Sequence, residues 1–524
     1  MSDLLAGIGL LIAAAAAALA ILLPSGRLRS LAMLTALALF PVLILGDQWH
    51  SHQIADLRDS PSRLIALGVL AVTVSAALAY VFKRWPILLP LAIVAALPFR
   101  VPLEAGGDTA NLLVPLYLVI SGGVLTALLP GGGAVGGPAP EDALATGRGG
   151  GSPAATGPAG PTAWLPRLLG AVVVLYAIQV LYSEDFSKGL QNACFFFVPF
   201  SLVYGLLRDV TWDRKLLTLV LWVIGIEALC FVLVGTVEWA TRSLFWNDQV
   251  IRSNEFHTYF RVNSVFWDPN VYGRYLSLVA VVAMSALLWA RERRPLALLT
   301  ALIAVLWIGL VPTFSQSSFA ALLAGLVILA ALRWSVKWTA IAAVAGVAAT
   351  MLIVTLAGSF SFDRINIDTS GRANLVSGGI HLFAQRPGYG YGSGSFPRAY
   401  RQHVETRKAP VSVSHTEPIT IAAEQGLVGL ALYLALVLVA LWTMATGLLR
   451  RPSVARTAAL ATFVALLVHT MAYAGFFEDP ITWVLLVVGV SLATAYQAPP
   501  PLLSGARADD HRRSRVRPSA SGGG

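Results

Sequence analysis

Charge is what this chain has least of. Asp, Glu, Lys and Arg make up 12% of its 524 residues, against about 25% in a soluble domain. That deficit excludes an ordinary soluble protein, and the 56% of hydrophobic residues places most of the chain in lipid. Cysteine is nearly absent. Cys194 and Cys230 both lie inside apolar runs, so they read as small packing residues rather than a disulfide or metal pair. There is no HExxH, no DxD pair and no cysteine cluster with ligand spacing, so no metal site and no cofactor are expected. An internal repeat is also missing. The first apolar run, Leu4 to Leu23, has neither a basic leader nor a cleavage site and reads as a retained span. The net charge of +10 comes partly from loop residues that orient spans, and it does not point to nucleic acid.

What is present is a succession of apolar runs, each close to the roughly 20 residues that cross a bilayer as a helix. They fall near 4–23, 30–46, 63–82, 86–103, 109–129, 165–183, 190–207, 216–237, 270–290, 296–313, 318–332, 339–358, 426–449, 456–475 and 481–497. The expected fold is therefore an all-α polytopic membrane protein with about 15 transmembrane helices. The run at 86–103 is the weakest, because Pro86, Pro90 and Pro98 interrupt it. Basic connectors mark the cytoplasmic side: Arg27/Arg29, Lys83/Arg84, Arg208/Arg214/Lys215, Arg291/Arg293/Arg294, Arg333/Lys337 and Arg450/Arg451. All fall on one side if all fifteen runs span and the N-terminus is outside. The loops between them, such as Ser183–Lys188, Phe314–Ser317 and Glu478–Pro480, are poor in basic residues.

Composition divides the chain further. A five-span block over 1–129 precedes a Gly/Pro-rich segment over 130–162, read as a flexible cytoplasmic linker. A ten-span block follows over 163–497, with outside loops at 238–268 and 358–416. The basic, Ser/Gly-rich tail over 498–524 suits a disordered segment leaning on anionic headgroups.

The chemistry is expected in those two loops. Arg364, Arg372, Arg386, Arg398, Arg401, Arg407 and Lys408 make the second one basic, which suits an anionic, membrane-bound substrate. Leu375, Val376, Ile380 and Phe383 recur at spacings of three and four, so a short amphipathic helix should lie here and end at Arg386-Pro387. GYGYGSGSF follows, with Gly388, Gly390, Gly392 and Gly394. It lacks the preceding strand and following helix of a nucleotide fingerprint. These glycines either bring the backbone close to a ligand or simply form a loop. His415, in VSVSHTEP with Glu417 two residues on, can act as a base or donate to phosphate. By position alone a surface imidazole at the interface would explain it better. His403 is its rival, His257 and His381 are weaker candidates, and His469 reads as a packing or hydrogen-bonding residue within a span. In the first loop, Arg261 precedes FWDPN, where Asn270 stands at a helix entrance; the aromatics alone would suit an interfacial belt. An arginine pair can hold a diphosphate in place of a divalent cation, since guanidinium binds phosphate oxygens bidentately.

Together these pieces resemble the O-antigen ligase and O-antigen polymerase superfamily of bacterial membrane glycosyltransferases. The resemblance covers roughly 165–497 and rests on order and spacing: Arg261 with FWDPN, FSQSSFAALLAGL, Gly371-Arg372, RPGYGYGSGSF, and the H-x-E-x6-E-x-G-L-x-G run from His415 to Gly429. It implies metal-independent, inverting transfer or polymerisation of a glycan from an undecaprenyl-diphosphate donor. The acceptor would be a glycan, lipid or protein, at the extracytoplasmic face of the bacterial inner membrane. It implies catalytic roles for His415, Arg261 and Arg372 and a matching role for Asn270; Asn270, Arg398, Glu417, Gly390 and Gly392 are expected at the substrate. The family's histidine is usually followed by Asn, whereas here Thr416-Glu417-Pro418 follows, so Glu417 could share the base or acceptor role. A transporter or flippase for the same lipid-linked glycan, or a noncatalytic envelope scaffold, also fits the hydropathy. Convergence of Arg261, Arg372 and His415 on one outward cavity would favour the enzyme. Sequence does not separate polymerase from ligase, nor does it give the five N-terminal spans a role.

Overall fold

A computed structural model describes residues 3–49, 58–105, 108–129, 161–256, 259–356, 372–404, 413–450 and 452–497. The expected linker up to residue 160, the basic tail, parts of the second loop (357–371 and 405–412) and His257 lie outside the described residues.

The described chain is helical apart from one antiparallel hairpin, β1 (Val101–Ala105) with β2 (Asp108–Leu112). The first helices are α1 (Asp3–Leu22), α2 (Arg27–Gln48), α3 (Pro61–Arg84), α4 (Leu88–Ala96) and α5 (Val114–Leu128). Beyond the linker come α6 (Pro161–Val180), α7 (Phe186–Asn192), α8 (Val198–Leu207), α9 (Arg214–Thr241), α10 (Asp248–Phe256), α11 (Pro269–Trp289), α12 (Arg293–Leu310), α13 (Gln316–Arg333) and α14 (Val336–Leu356). The second loop carries α15 (Arg372–Gln385) and α16 (Phe396–His403); α17 (Glu417–Ala445), α18 (Val454–Thr470) and α19 (Pro480–Gln497) complete the chain. Helices dominate because a backbone in hydrocarbon must satisfy its own hydrogen bonds.

Among the described residues, ten helices are long and apolar enough to cross a membrane. All fifteen expected runs are at least partly helical, but the remaining five do not meet that criterion over their described residues. The run at 86–103 differs most. Its helix is only nine residues, Leu88–Ala96, and it gives way to the hairpin beyond Pro98. The first outside loop also begins later than expected, because α9 continues to Thr241.

Small side chains let the helices approach closely. The alanine run of α1 buries Ala13, Ala17 and Ala20 where it packs against α2, α6 and α8. One continuous apolar core joins residues of α1, α2, α4 and α5 to residues of α6, α8, α17, α18 and α19. A second core lies among α9, α11, α12, α13 and α18.

The connections gather at two ends of the bundle. At one end, Arg29 bonds Asp209 at 2.6 Å, Arg208 donates to the Leu23 carbonyl at 3.1 Å, and Arg456 donates to Met444 at 3.3 Å. At the other, the Glu184 N–H donates to Tyr391, that of Val262 to Pro312, and the Thr416 hydroxyl to Met471. The basic connectors thus mark the first end, and the loops that carry the expected chemistry meet at the second.

Candidate active site

Each loop at that second end has a local reason for its shape. Glu238, buried in the last turn of α9, accepts backbone N–H groups from Asn263 at 3.1 Å and Ser264 at 2.7 Å. This carboxylate holds 263–264 against the end of α9, two residues beyond Arg261. Asp268 caps α11 by accepting the Asn270 N–H at 2.6 Å, with Pro269 in the first turn. Asn270 is left free to point its side chain inward. Its Oδ1 accepts from Arg261 Nη2 at 3.3 Å and from the Ser315 hydroxyl at 2.9 Å. Arg261 Nε donates to the Thr313 carbonyl at 2.9 Å. Behind Asn270 lies a buried hydroxyl chain through Ser317 and Ser318 to His469 Nε2, 3.2 Å from the Ser317 hydroxyl. The FSQSS segment therefore supports the Arg261–Asn270 pair from within the bundle.

Arg372 opens α15 and donates to the Ala472 carbonyl at 3.2 Å. His415 lies opposite, its ring 6.2 Å from that of Tyr473, and its backbone is left-handed at φ 63°. A non-glycine residue in that region is strained, and such strain concentrates at functional sites. Burial pushes the imidazole down to about 4, with the positive charge of Arg372 adding to the effect and Asp268 opposing it. His415 is therefore uncharged at neutral pH. Burial also lowers Arg261, which feels the attraction of Asp268 and the repulsion of Arg372. The structure thus brings Arg261, Arg372, His415 and Asn270 into one neighbourhood.

His415 also lines a cavity of about 370 Å³. Its charged walls are Arg100, Lys188, Arg274, Glu417, Glu424 and Glu478, and its aromatic walls include Tyr176, Phe195, Phe196, Phe197, Tyr473 and Phe477. Arg274 forms a buried ion pair with Asp479 at 2.7 Å. Glu417 accepts the N–H groups of Gly475 (2.7 Å) and Phe476 (3.1 Å), tying the α18–α19 loop to the start of α17. Glu424 accepts those of Gly394 (2.8 Å) and Phe396 (3.0 Å).

Other expected site residues sit elsewhere. Arg398 is exposed on α16 and does not line the cavity. Gly390 and Gly392 do not line it either. Both have positive φ, and they press against the backbone of Glu424 and Ser183 respectively. Their lack of a side chain serves loop docking, because a Cβ at either would collide with main chain. His403 pairs with Glu184 at 3.2 Å, and His381 contacts Gln385; neither lines the cavity. Arg100, Lys188, Arg274 and Glu478 are functional candidates that the sequence did not single out. Arg274 carried a usable signal, since an ionisable residue within a membrane helix marks function by default.

The described chain thus combines ten helices long and apolar enough to cross a membrane with a charged, aromatic cavity lined by helices and loops. Residues 301–434 match the family model described as O-antigen ligase, so over this segment the chain is similar to that family. The matched segment includes Arg372 and His415, whereas Arg261 and Asn270 precede it. No curated protein matches the chain.

Proposed function

We propose that the protein transfers or polymerises a glycan from an undecaprenyl-diphosphate donor, at the extracytoplasmic face of the bacterial inner membrane. The observation that carries this reading is the convergence of Arg261 and Arg372 on His415 beside the cavity. Two guanidiniums in a partly buried site match the two phosphates of such a donor and stabilise the charge that grows on the leaving diphosphate. Asn270 and Thr313 fix the Arg261 fork, so little of it must be ordered when the donor arrives. His415, uncharged before binding, donates a hydrogen bond to a phosphate oxygen. The acceptor oxygen then displaces the diphosphate from the anomeric carbon in one step, and configuration inverts. The orientation rests on the basic connectors, which mark the opposite end as cytoplasmic. An activated donor outside must come anchored in lipid, since nucleotide sugars stay within.

The test is glycan transfer by purified protein in liposomes, supplied with undecaprenyl-diphosphate-linked oligosaccharide, candidate acceptors and a chelator. Wild type should elongate or transfer the glycan despite the chelator. Arg372→Ala and His415→Ala should each lower turnover by about a hundredfold or more. Full activity in the Arg372→Ala/His415→Ala double variant would refute the site, and a requirement for added divalent cation would refute the arginine clamp.

A further inference from the structure

Three features of the cavity are not explained by holding a donor diphosphate. The first is the aromatic wall. Within the candidate span Phe186–Leu207, five residues, Ala193–Phe197, form a π-helical turn. Such turns are rare and cluster at functional sites. This one carries Phe195, Phe196 and Phe197 to the cavity, with Tyr176 stacked on Phe197 at 3.9 Å between ring centroids. Just before the turn, Gln191 and Asn192 also line the cavity, the Gln191 amide N–H group donating to Asp47 and Ser187. Aromatic faces beside amides suit a sugar ring, whose C–H faces are apolar and whose rim is hydroxylated.

The second feature is Glu478. Glu417 and Glu424 already accept paired backbone N–H groups. No described residue holds the Glu478 carboxylate by a hydrogen bond or ion pair, although Lys188, Arg100 and Arg274 all act on it electrostatically. The third is Arg274 Nη1, buried and without a hydrogen-bond partner, on a side chain 4% exposed. Arg274 lines the cavity, and leaving such a buried donor unmade is costly.

We propose that this cavity is the acceptor subsite, holding a saccharide of the acceptor against the Phe195–Phe197 turn, with Glu478 taking the proton of the attacking hydroxyl. This rests on the glycan-transfer reading and names its acceptor class. Its volume of about 370 Å³ lies in the range of small-molecule sites. The acceptor O–H bond breaks as its proton passes to Glu478. The freed oxygen pair attacks the anomeric carbon of the donor sugar, and the bond from that carbon to the diphosphate oxygen breaks. The electron pair leaves with the diphosphate, held by Arg261 and Arg372, and Glu478 later returns its proton to water. Burial raises the Glu478 carboxyl against the opposing pull of Lys188, Arg100 and Arg274, towards the range that suits a general base.

The experiment compares full-length wild type, Glu478→Gln, Glu478→Asp and the exposed-site control Arg291→Ala in liposomes, with transfer measured from pH 5.5 to 9. Glu478→Gln should lower kcat by about a hundredfold or more with donor KM changed less than threefold. Glu478→Asp should recover part of it with a displaced acid limb. Glu478→Gln retaining kcat within threefold, or raising donor KM in proportion, would overturn the proposal. Saccharide binding is measured separately, by saturation-transfer NMR with methyl glycosides and no donor present. Wild type should show contact that Phe196→Ala weakens, and absence of contact in wild type would overturn the subsite. Binding without transfer from any donor would instead remove the proposed function and the proton-transfer role while leaving a saccharide site.

Discussion

At the scale of single residues, the Arg274–Asp479 pair shows how the site is held. Both side chains are almost fully enclosed, at 4% and 3% exposure, and each has given up its water. Removing one partner leaves the other charged and stranded, which costs about 3–5 kcal/mol, whereas replacing both by apolar groups costs far less. Asp479→Ala should therefore lower the thermal unfolding midpoint in detergent clearly more than the double substitution Arg274→Met/Asp479→Leu. Equal loss in both would show that the pair contributes through packing. His415 and Arg372 stood out in the sequence because each lies in a polar segment next to an apolar one. Glu478 did not, since a charge in a short loop beside a hydrophobic run resembles orienting charge until the cavity it lines is seen, and the ion pair of Arg274 with Asp479 joins segments some two hundred residues apart.

Elements explain the glycines. The segment after α15 lies along α17 where that helix breaks at Gly426, whose φ is 64°. Tyr391 and Gly392 donate their N–H groups to the carbonyls of Ala423 and Glu424, and Leu427 donates to Pro387. Loop and kink thus satisfy each other's backbone groups, as an irregular stretch at membrane depth requires. Gly390→Ala forces a side chain into left-handed backbone, at about 1–2 kcal/mol, and into the Glu424 carbonyl. Hydrogen exchange across 388–396 should accelerate in this variant; unchanged protection would show that the loop is held by other contacts. The alternation of glycine with tyrosine announced an irregular backbone in the sequence. Its docking partner lies more than thirty residues on, and periodicity within a segment carries no information about that.

Across the whole molecule, the sequence made the helical, membrane-embedded character plain, because hydropathy reports what lipid demands of each segment. The number of spans was less legible: apolarity alone does not tell a complete crossing from the short α4 with its hairpin. Orientation is open to direct measurement. With Cys194 and Cys230 replaced by Ser, a cysteine at Tyr389 should react with an impermeant maleimide in cells whose outer barrier is permeabilised. One at Arg291 should react only after the inner membrane is opened. The reverse pattern would invert the topology and place the cavity in the cytoplasm.

Arg100 reaches the cavity from the part of the chain before the linker, and Tyr473 to Glu478 reach it from the turn before the final helix. A ribosome delivers the first of these early and the second almost last. The pocket therefore has no complete wall during most of synthesis. On the proposed function, a half-made chain in the bilayer would lack the walls that hold an acceptor, and transfer would begin only once the segment from Tyr473 to Glu478 is in place.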